Sequence, residues 1–399
     1  MIACRSEFDW CNMRAKVIAL VAGEASGDQL GAALMSAIHT RQPETRFAGI
    51  GGPLMRAAGM DCWWDTRELS VMGLFEVISH LPRLMGLRKR LIERLLDLNP
   101  DIFIGIDAPD FNLGIEKRLK ARAIPVIHYV SPTVWAWRPG RVKTIARATD
   151  RVLCLFPFEP GYYKQQTVAA DYTGHPMADE IPLYIDAEAA RVALGVETGG
   201  SCIALLPGSR LAEVEKLSVP MLEAAEILTR TYPGVRFLMP AATEVIRDYF
   251  ETQLRHHTAV SCQVFSAHSK DVMAASDLVI CASGTATLEV MLVNRPMVVC
   301  YRVSGMSYRL VKWFRLAKTR FFALPNILAS ELLVPEFVQH EVTGARIAEA
   351  VARWLDQPVL RDELSRRFDL LHRQLKIGAA EKAATAVLRH ISSPDNAAH

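Results

Sequence analysis

Short apolar runs alternate with helix-length amphipathic stretches along most of the chain. In the first half the runs are KVIALVA (16 to 22), RFAGIG (46 to 51), DIFIGID (101 to 107), PVIHYV (125 to 130) and RVLCLFP (151 to 157). In the second half they are CIALLPG (202 to 208), VRFLMPA (235 to 241), CQVFS (262 to 266), LVICASG (278 to 284) and PMVVCYR (296 to 302). Continuous Val, Ile and Leu belongs to strands covered on both faces, and the intervening helices supply the cover, so the pattern predicts parallel sheets. The rhythm weakens over GHPMADEIPLYIDAEAARVALGV (174 to 196), which places the interdomain linker there.

The expected architecture is α/β, with two doubly wound Rossmann-like domains facing across a cleft. The predicted boundaries are 14 to 180 and 181 to 360, with an N-terminal extension outside the fold at 1 to 13 and a helical segment and tail at 361 to 399. Such sheets bind ligands at the carboxyl ends of their strands.

Composition narrows the partners. The chain has 399 residues, 50% of them hydrophobic and 22% charged, enough for two full cores. Its net charge of +3 provides no global basic field, so no nucleic-acid partner is expected. The eight cysteines form no CxxC pair, and Cys154, Cys281 and Cys300 sit inside apolar runs, which reads as reduced, buried thiols in a cytoplasmic protein. The first fifteen residues lack a signal-peptide core and no run is long enough to span a bilayer.

Candidate chemistry lies in the loops that follow the strands. GEASGDQLG (23 to 31) is neither a dinucleotide fingerprint nor a Walker loop. It is either a tight turn whose helix Ser26 or Asp28 caps, or a loop giving Gly23, Glu24 and Ser26 to a substrate. In LLPGSRLAEVEKL (205 to 217), Gly208 admits a ligand to the backbone and Ser209 can cap or donate. Arg210 adds a bidentate phosphate donor at a helix N-terminus. CASGTATLEVML (281 to 292) opens a helix on Ser283, Gly284 and Thr285, fit for a pyrophosphate, while Glu289 suits two vicinal ribose hydroxyls. HYVSPTVWAWRPGRVKTI (128 to 145) reads as indoles framing a helix or as a wall of the cleft. His128 and His175 are base candidates, with a hydrogen-bonded structural role the commoner one for a lone histidine. No HExxH or paired Cys/His spacing indicates a metal, and no cofactor is expected.

Taken together, GEASGD, GIDAPDFN, HYVSPTVWAWR, LPGSR, ASGTATLE and ALPNILA resemble lipid-A-disaccharide synthase, over residues 16 to 390. The resemblance implies an inverting glycosyltransferase of the GT-B architecture. It would join UDP-2,3-diacylglucosamine to 2,3-diacylglucosamine 1-phosphate (lipid X) through a β-1,6 bond, with the acceptor on the N-terminal domain and the UDP-sugar donor on the C-terminal one. Asp107 matches the family's catalytic aspartate, the base for the acceptor 6-hydroxyl. Asp110 either orients it or caps the next helix. Arg210 and the helix starts at Ser209 and Ser283 would stabilise the leaving diphosphate, and the motif match places Asn326 at the donor site.

Acylated substrates imply contact with an anionic membrane surface, on the cytoplasmic face of the inner membrane of a Gram-negative bacterium. Residues 69 to 87 offer Leu74, Phe75, Ile78, Leu81 and Met85 at near-helical spacing, with Pro82 allowing a break. MSYRLVKWFRLAKTRFF (306 to 322), which mixes Arg and Lys with Trp, Phe and Leu, is a second candidate contact, within a span that has seven basic residues and no acid from Arg295 to Arg320. A homodimer is compatible with the sequence. The alternatives are another GT-B transferase such as the peptidoglycan N-acetylglucosaminyltransferase, a UDP-N-acetylglucosamine 2-epimerase, or a non-catalytic nucleotide-sugar or lipid-binding protein.

Overall fold

A computed structural model describes residues 15–69, 74–134, 140–166, 168–302 and 320–392, with only the backbone described over 74–81. The loop tryptophans Trp135 and Trp137 and most of the basic stretch before Arg320 therefore lie outside the described residues. The chain divides into two units. One runs to Pro176 and resumes at Ile377, and the other is Met177–Lys376.

The first unit carries a seven-stranded parallel sheet in the order β3-β2-β1-β4-β5-β6-β7. Its strands are β1 (Val17–Ala22), β2 (Arg46–Gly51), β3 (Asp61–Asp65), β4 (Ile102–Ile106), β5 (Val126–Tyr129), β6 (Arg151–Cys154) and β7 (Ala169–Tyr172). The second unit carries six parallel strands in the order β10-β9-β8-β11-β12-β13. These are β8 (Cys202–Leu206), β9 (Arg236–Ala241), β10 (Cys262–Ser266), β11 (Leu278–Ala282), β12 (Met297–Tyr301) and β13 (Glu336–Val338). Both units are doubly wound, as the apolar runs predict.

Central strands are apolar throughout because helices cover both faces. β4 and β8 are buried along their whole lengths, and each such Ile or Leu contributes about 1.5–3 kcal/mol on leaving water. β1 and β4 pair in register from Ile18 with Ile102 to Ala22 with Ile106, so their carboxyl ends finish level. There the strand order reverses, as it does between β8 and β11. At such a switch point successive helices leave toward opposite faces, and the diverging loops open a crevice.

The C-terminal helices are shared between the units. Helix Pro358–Leu375 belongs to the second, where His372 Nε2 meets the Ala178 carbonyl at 2.9 Å. Helix Ala379–Ile391 returns to the first, where Arg41 donates to Thr385 Oγ1 at 2.7 Å. Pro82 makes no break, since helix Leu74–Leu98 runs through it. No helix among the described residues is long and apolar enough to cross a membrane. Cys154, Cys281 and Cys300 are fully buried free thiols, and burial pushes the Cys300 thiol up to about 12.

Candidate active site

In the first unit the switch-point loops are those after β1 and β4. β4 ends at Ile106, and Pro109 opens the helix Pro109–Lys120. Between them Asp107 and Ala108 both take left-handed backbone, φ 51° and 42°. Aspartate tolerates that region and alanine does not, so the turn is held by its surroundings. The Asp107 N–H donates to the Tyr129 carbonyl at 2.8 Å, and its own carbonyl accepts from Asn112 Nδ2 at 2.9 Å. The carboxylate stands half-buried at the end of the sheet.

The Gly23 loop abuts this turn. A β-carbon on Gly23 would lie 2.6 Å from that of Ala108, so no larger residue fits. Glu24 and Ser26 follow, both exposed. Helix Ala25–Arg41 starts from Glu24 without any side-chain cap, so neither Ser26 nor Asp28 has the capping role the sequence offered. Asp28 instead lies buried and accepts from the backbone N–H groups of Gly52, Leu54 and Met55 at 2.7, 2.9 and 3.0 Å. It caps the short helix Pro53–Ala57, and its acceptor-only carboxylate satisfies donors from a neighbouring element.

Asp110 neither orients Asp107 nor caps its helix. The N-cap position is Ala108, and the exposed Asp110 carboxylate pairs with Arg141. His128 is not a free base either. It is completely buried, with Nδ1 2.6 Å from Glu116 Oε1. Burial drives the imidazole toward neutrality, but the Glu116 carboxylate beside it outweighs burial and raises its pKa, with Asp107 acting in the same direction. Burial likewise raises Glu116, against the pull of His128.

In the second unit, the loops after β8 and β11 meet at one cavity of about 410 Å³. It is lined by Ser209, Arg210, Ser283, Gly284, Thr285 and Glu289, all six foreseen from sequence, and also by Glu213 and Ser269. Gly208 sits at φ 134°, and a β-carbon there would strike Glu213 Cβ at 2.6 Å, so glycine is needed for both conformation and space. Arg210 precedes helix Leu211–Thr231 and remains exposed, donating to Glu213 Oε1 at 3.2 Å. That solvent-side contact is weak enough for a phosphate to compete. Glu213 was invisible as a motif, although its three-residue helical spacing from Arg210 foretells the pair.

Gly284, at φ 146°, begins helix Thr285–Leu292. The Ser283 hydroxyl donates to the Phe322 carbonyl at 3.1 Å, which fixes the loop and leaves the helix N-terminus facing the cavity. Glu289 lines the same cavity. Burial raises its carboxyl pKa, and Lys270 partly opposes the shift.

Asn326 corrects the expectation. It is completely buried, absent from the cavity wall, and bonded at every polar atom. Its Oδ1 accepts from the N–H groups of Leu333 and Val334 at 2.8 and 2.9 Å, while Nδ2 donates to the Val334 carbonyl and to Glu336 Oε1 at 2.9 and 2.7 Å. Glu336 in turn accepts from the N–H groups of Phe322 and Ala323, so Asn326 braces the segment that receives Ser283. A larger cavity of about 590 Å³, walled by Phe337, Trp354 and Leu364, holds none of the predicted residues. Its three arginines are matched by three glutamates, so it lacks the uncompensated charge an anion requires.

Comparison with known proteins identifies the family. The family model described as lipid-A-disaccharide synthetase matches residues 18–387. The lipid-A-disaccharide synthase of Xanthomonas campestris pv. campestris (strain 8004) is 48% identical over 377 residues, covering 94% of this chain and 86% of the relative. That of Alcanivorax borkumensis is 46% identical over 375 residues, covering 94% and 97%. Among solved structures, the glycotransferase of kitacinnamycin superposes with TM-score 0.61 at 15% identity, covering 95% of this chain and 100% of that one. A protein from Listeria monocytogenes assigned as a UDP-N-acetylglucosamine 2-epimerase gives 0.59 at 13%, covering 97% and 98%. These distant likenesses show the fold, which transferase and epimerase share, so fold alone does not separate those readings. The sequence relationship does: the chain belongs to the lipid-A-disaccharide synthase family.

Proposed function

We propose that the chain condenses UDP-2,3-diacylglucosamine with 2,3-diacylglucosamine 1-phosphate, giving the β-1,6-linked disaccharide 1-phosphate and UDP. The observation carrying this reading is the family match over residues 18–387. Asp107 takes the proton from the acceptor 6-hydroxyl as that oxygen attacks the anomeric carbon. The bond from that carbon to the diphosphate breaks on the opposite face, so configuration inverts. A rigid turn at a strand end suits a general base, because proton transfer needs hydrogen-bond reach at the moment of attack.

Negative charge that develops on the departing diphosphate is met by Arg210, Ser209 and the backbone amides at the start of helix Thr285–Leu292. Fixed donors aimed at such charge need no reorganisation during the reaction. Glu289 accepts from the ribose hydroxyls. Gly23, Glu24 and Ser26 border the acceptor beside the Asp107 turn. Incubating the purified chain with both substrates and weighing the products tests the reading. A disaccharide 1-phosphate appearing with UDP supports it, whereas donor consumed without disaccharide, or bound without turnover, overturns it in favour of an epimerase or a binding protein.

The acyl chains make an anionic phospholipid surface the second partner, met peripherally at the cytoplasmic face of the inner membrane. Support comes from the described end of the amphipathic stretch, where Met85 is 54% exposed. Leu74, Phe75, Ile78 and Leu81 are side chains outside the described residues. Co-sedimentation with vesicles containing anionic lipid, before and after replacement of these positions by Ser, tests the contact. Undiminished sedimentation of a folded variant would refute it.

A further inference from the structure

Two ionisable side chains unused by this chemistry lie buried behind the base turn. Glu116 and His128 are each 0% exposed and meet at 2.6 Å. Room for them is built into the strand between, because a β-carbon on Gly105 would lie 2.1 Å from Glu116 Oε1. Stability alone does not explain the pair. Burying two such groups carries a desolvation cost, and an apolar pair of similar volume is often as stable or more so. Glu116 Oε2, His128 Nε2 and the neighbouring Asn112 Oδ1 also have no hydrogen-bond partner, a cost that calls for an explanation in each case.

Their neighbours supply one. The Asp107 N–H is held by the carbonyl of Tyr129, next to His128 on β5. The Asp107 carbonyl is held by Asn112, one turn before Glu116 on helix Pro109–Lys120. The Glu116–His128 contact thus ties together the strand and the helix that grip both backbone groups of Asp107. We propose that Glu116 and His128 are positioning residues whose buried bond cross-braces β5 and the following face of helix Pro109–Lys120, keeping Asp107 in its left-handed turn. The inference rests on Asp107 being the base.

The direct test is the full chain carrying Glu116→Leu and His128→Leu together, which replaces the pair by an apolar one. The expected result is a kcat at least about ten-fold lower per folded molecule, with both KM values within about three-fold and the melting temperature undiminished. Glu116→Gln, which keeps the volume and a hydrogen bond to the imidazole, should retain kcat within about three-fold. On an Asp107→Asn background the Leu pair should remove less than about two-fold more, because there is no base left to position. Wild-type kcat in the Leu pair, or a change confined to KM, overturns the brace while an inactive Asp107→Asn leaves the base reading intact. An active Asp107→Asn removes the base reading and the brace with it. Should the Leu pair fail to fold, Glu116→Ala measured against Glu116→Gln decides, and equal kcat values overturn the brace.

Discussion

Gly23 and Ala108 meet at the switch point of the first sheet, so closely that a β-carbon on Gly23 would lie 2.6 Å from that of Ala108. The contact joins the loop after β1 to the turn that carries Asp107. In Gly23→Ala the Asp107 turn must shift, since the clash is with a β-carbon that has no rotamer to change. The expected result is a kcat lowered about ten-fold or more, with UDP affinity unchanged because the proposed UDP site is built on the other unit. Steady-state rates beside UDP titration by calorimetry check it, and an unchanged kcat would mean that the turn tolerates displacement.

Arg210→Ala should lower kcat by roughly 10²- to 10³-fold, the usual worth of one donor aimed at charge that develops in the transition state. Glu213 is its present partner, so Glu213→Gln, which frees the guanidinium from its carboxylate, should leave kcat within a few-fold. Comparable losses in both variants would place the diphosphate elsewhere.

The proposed contact of Glu289 with the ribose hydroxyls should make donor binding sensitive to pH. Burial raises its carboxyl pKa, so the ionised form that accepts from two hydroxyls is present above that raised value and lost as pH falls through it. The donor KM should therefore begin to rise on acidification at a higher pH than an ordinary exposed glutamate would give, and Glu289→Gln should flatten that rise. A KM profile identical in the two proteins would contradict the assignment.

Asn326→Ala should destabilise the second unit by about 2–4 kcal/mol, because it strands the buried N–H and carbonyl of Val334 and takes one of two acceptors from the half-buried Leu333 N–H. Thermal melting should fall by roughly 6–12 °C. The donor KM should rise indirectly, through release of the Phe322 segment from Glu336. A normal melt with an impaired donor KM would restore Asn326 to direct substrate contact.

How much of this is legible in the sequence depends on burial and on distance along the chain. Ten strands announce themselves as short, mainly apolar runs, clearest in the central strands that helices cover on both faces, although β10 (CQVFS) is an edge strand. The three that do not, β3 (DCWWD), β7 (AADY) and β13 (EFV), all lie at sheet edges. An edge strand faces solvent along one side and tolerates charge, so its pattern fades. The cavity residues are legible because glycine, proline and serine punctuate the strand ends that form the crevice. Asn326 misleads because the motif match places it at the donor site by its position along the chain, whereas its bonds go to residues 333 to 336. His128 stands out in the sequence but its partner does not: Glu116 sits among the charged residues of a helix, in IEKRLK, and only folding brings its carboxylate into the space left by Gly105.

The central claim is that Asp107 takes the acceptor proton. Asp107→Asn preserves the shape of the side chain and its turn while removing basicity, so the decisive measurement is its kcat for disaccharide formation alongside UDP affinity. A turnover lower by roughly 10²- to 10⁴-fold with unaltered UDP binding is the predicted result. Turnover within a few-fold of the unmodified protein would contradict it.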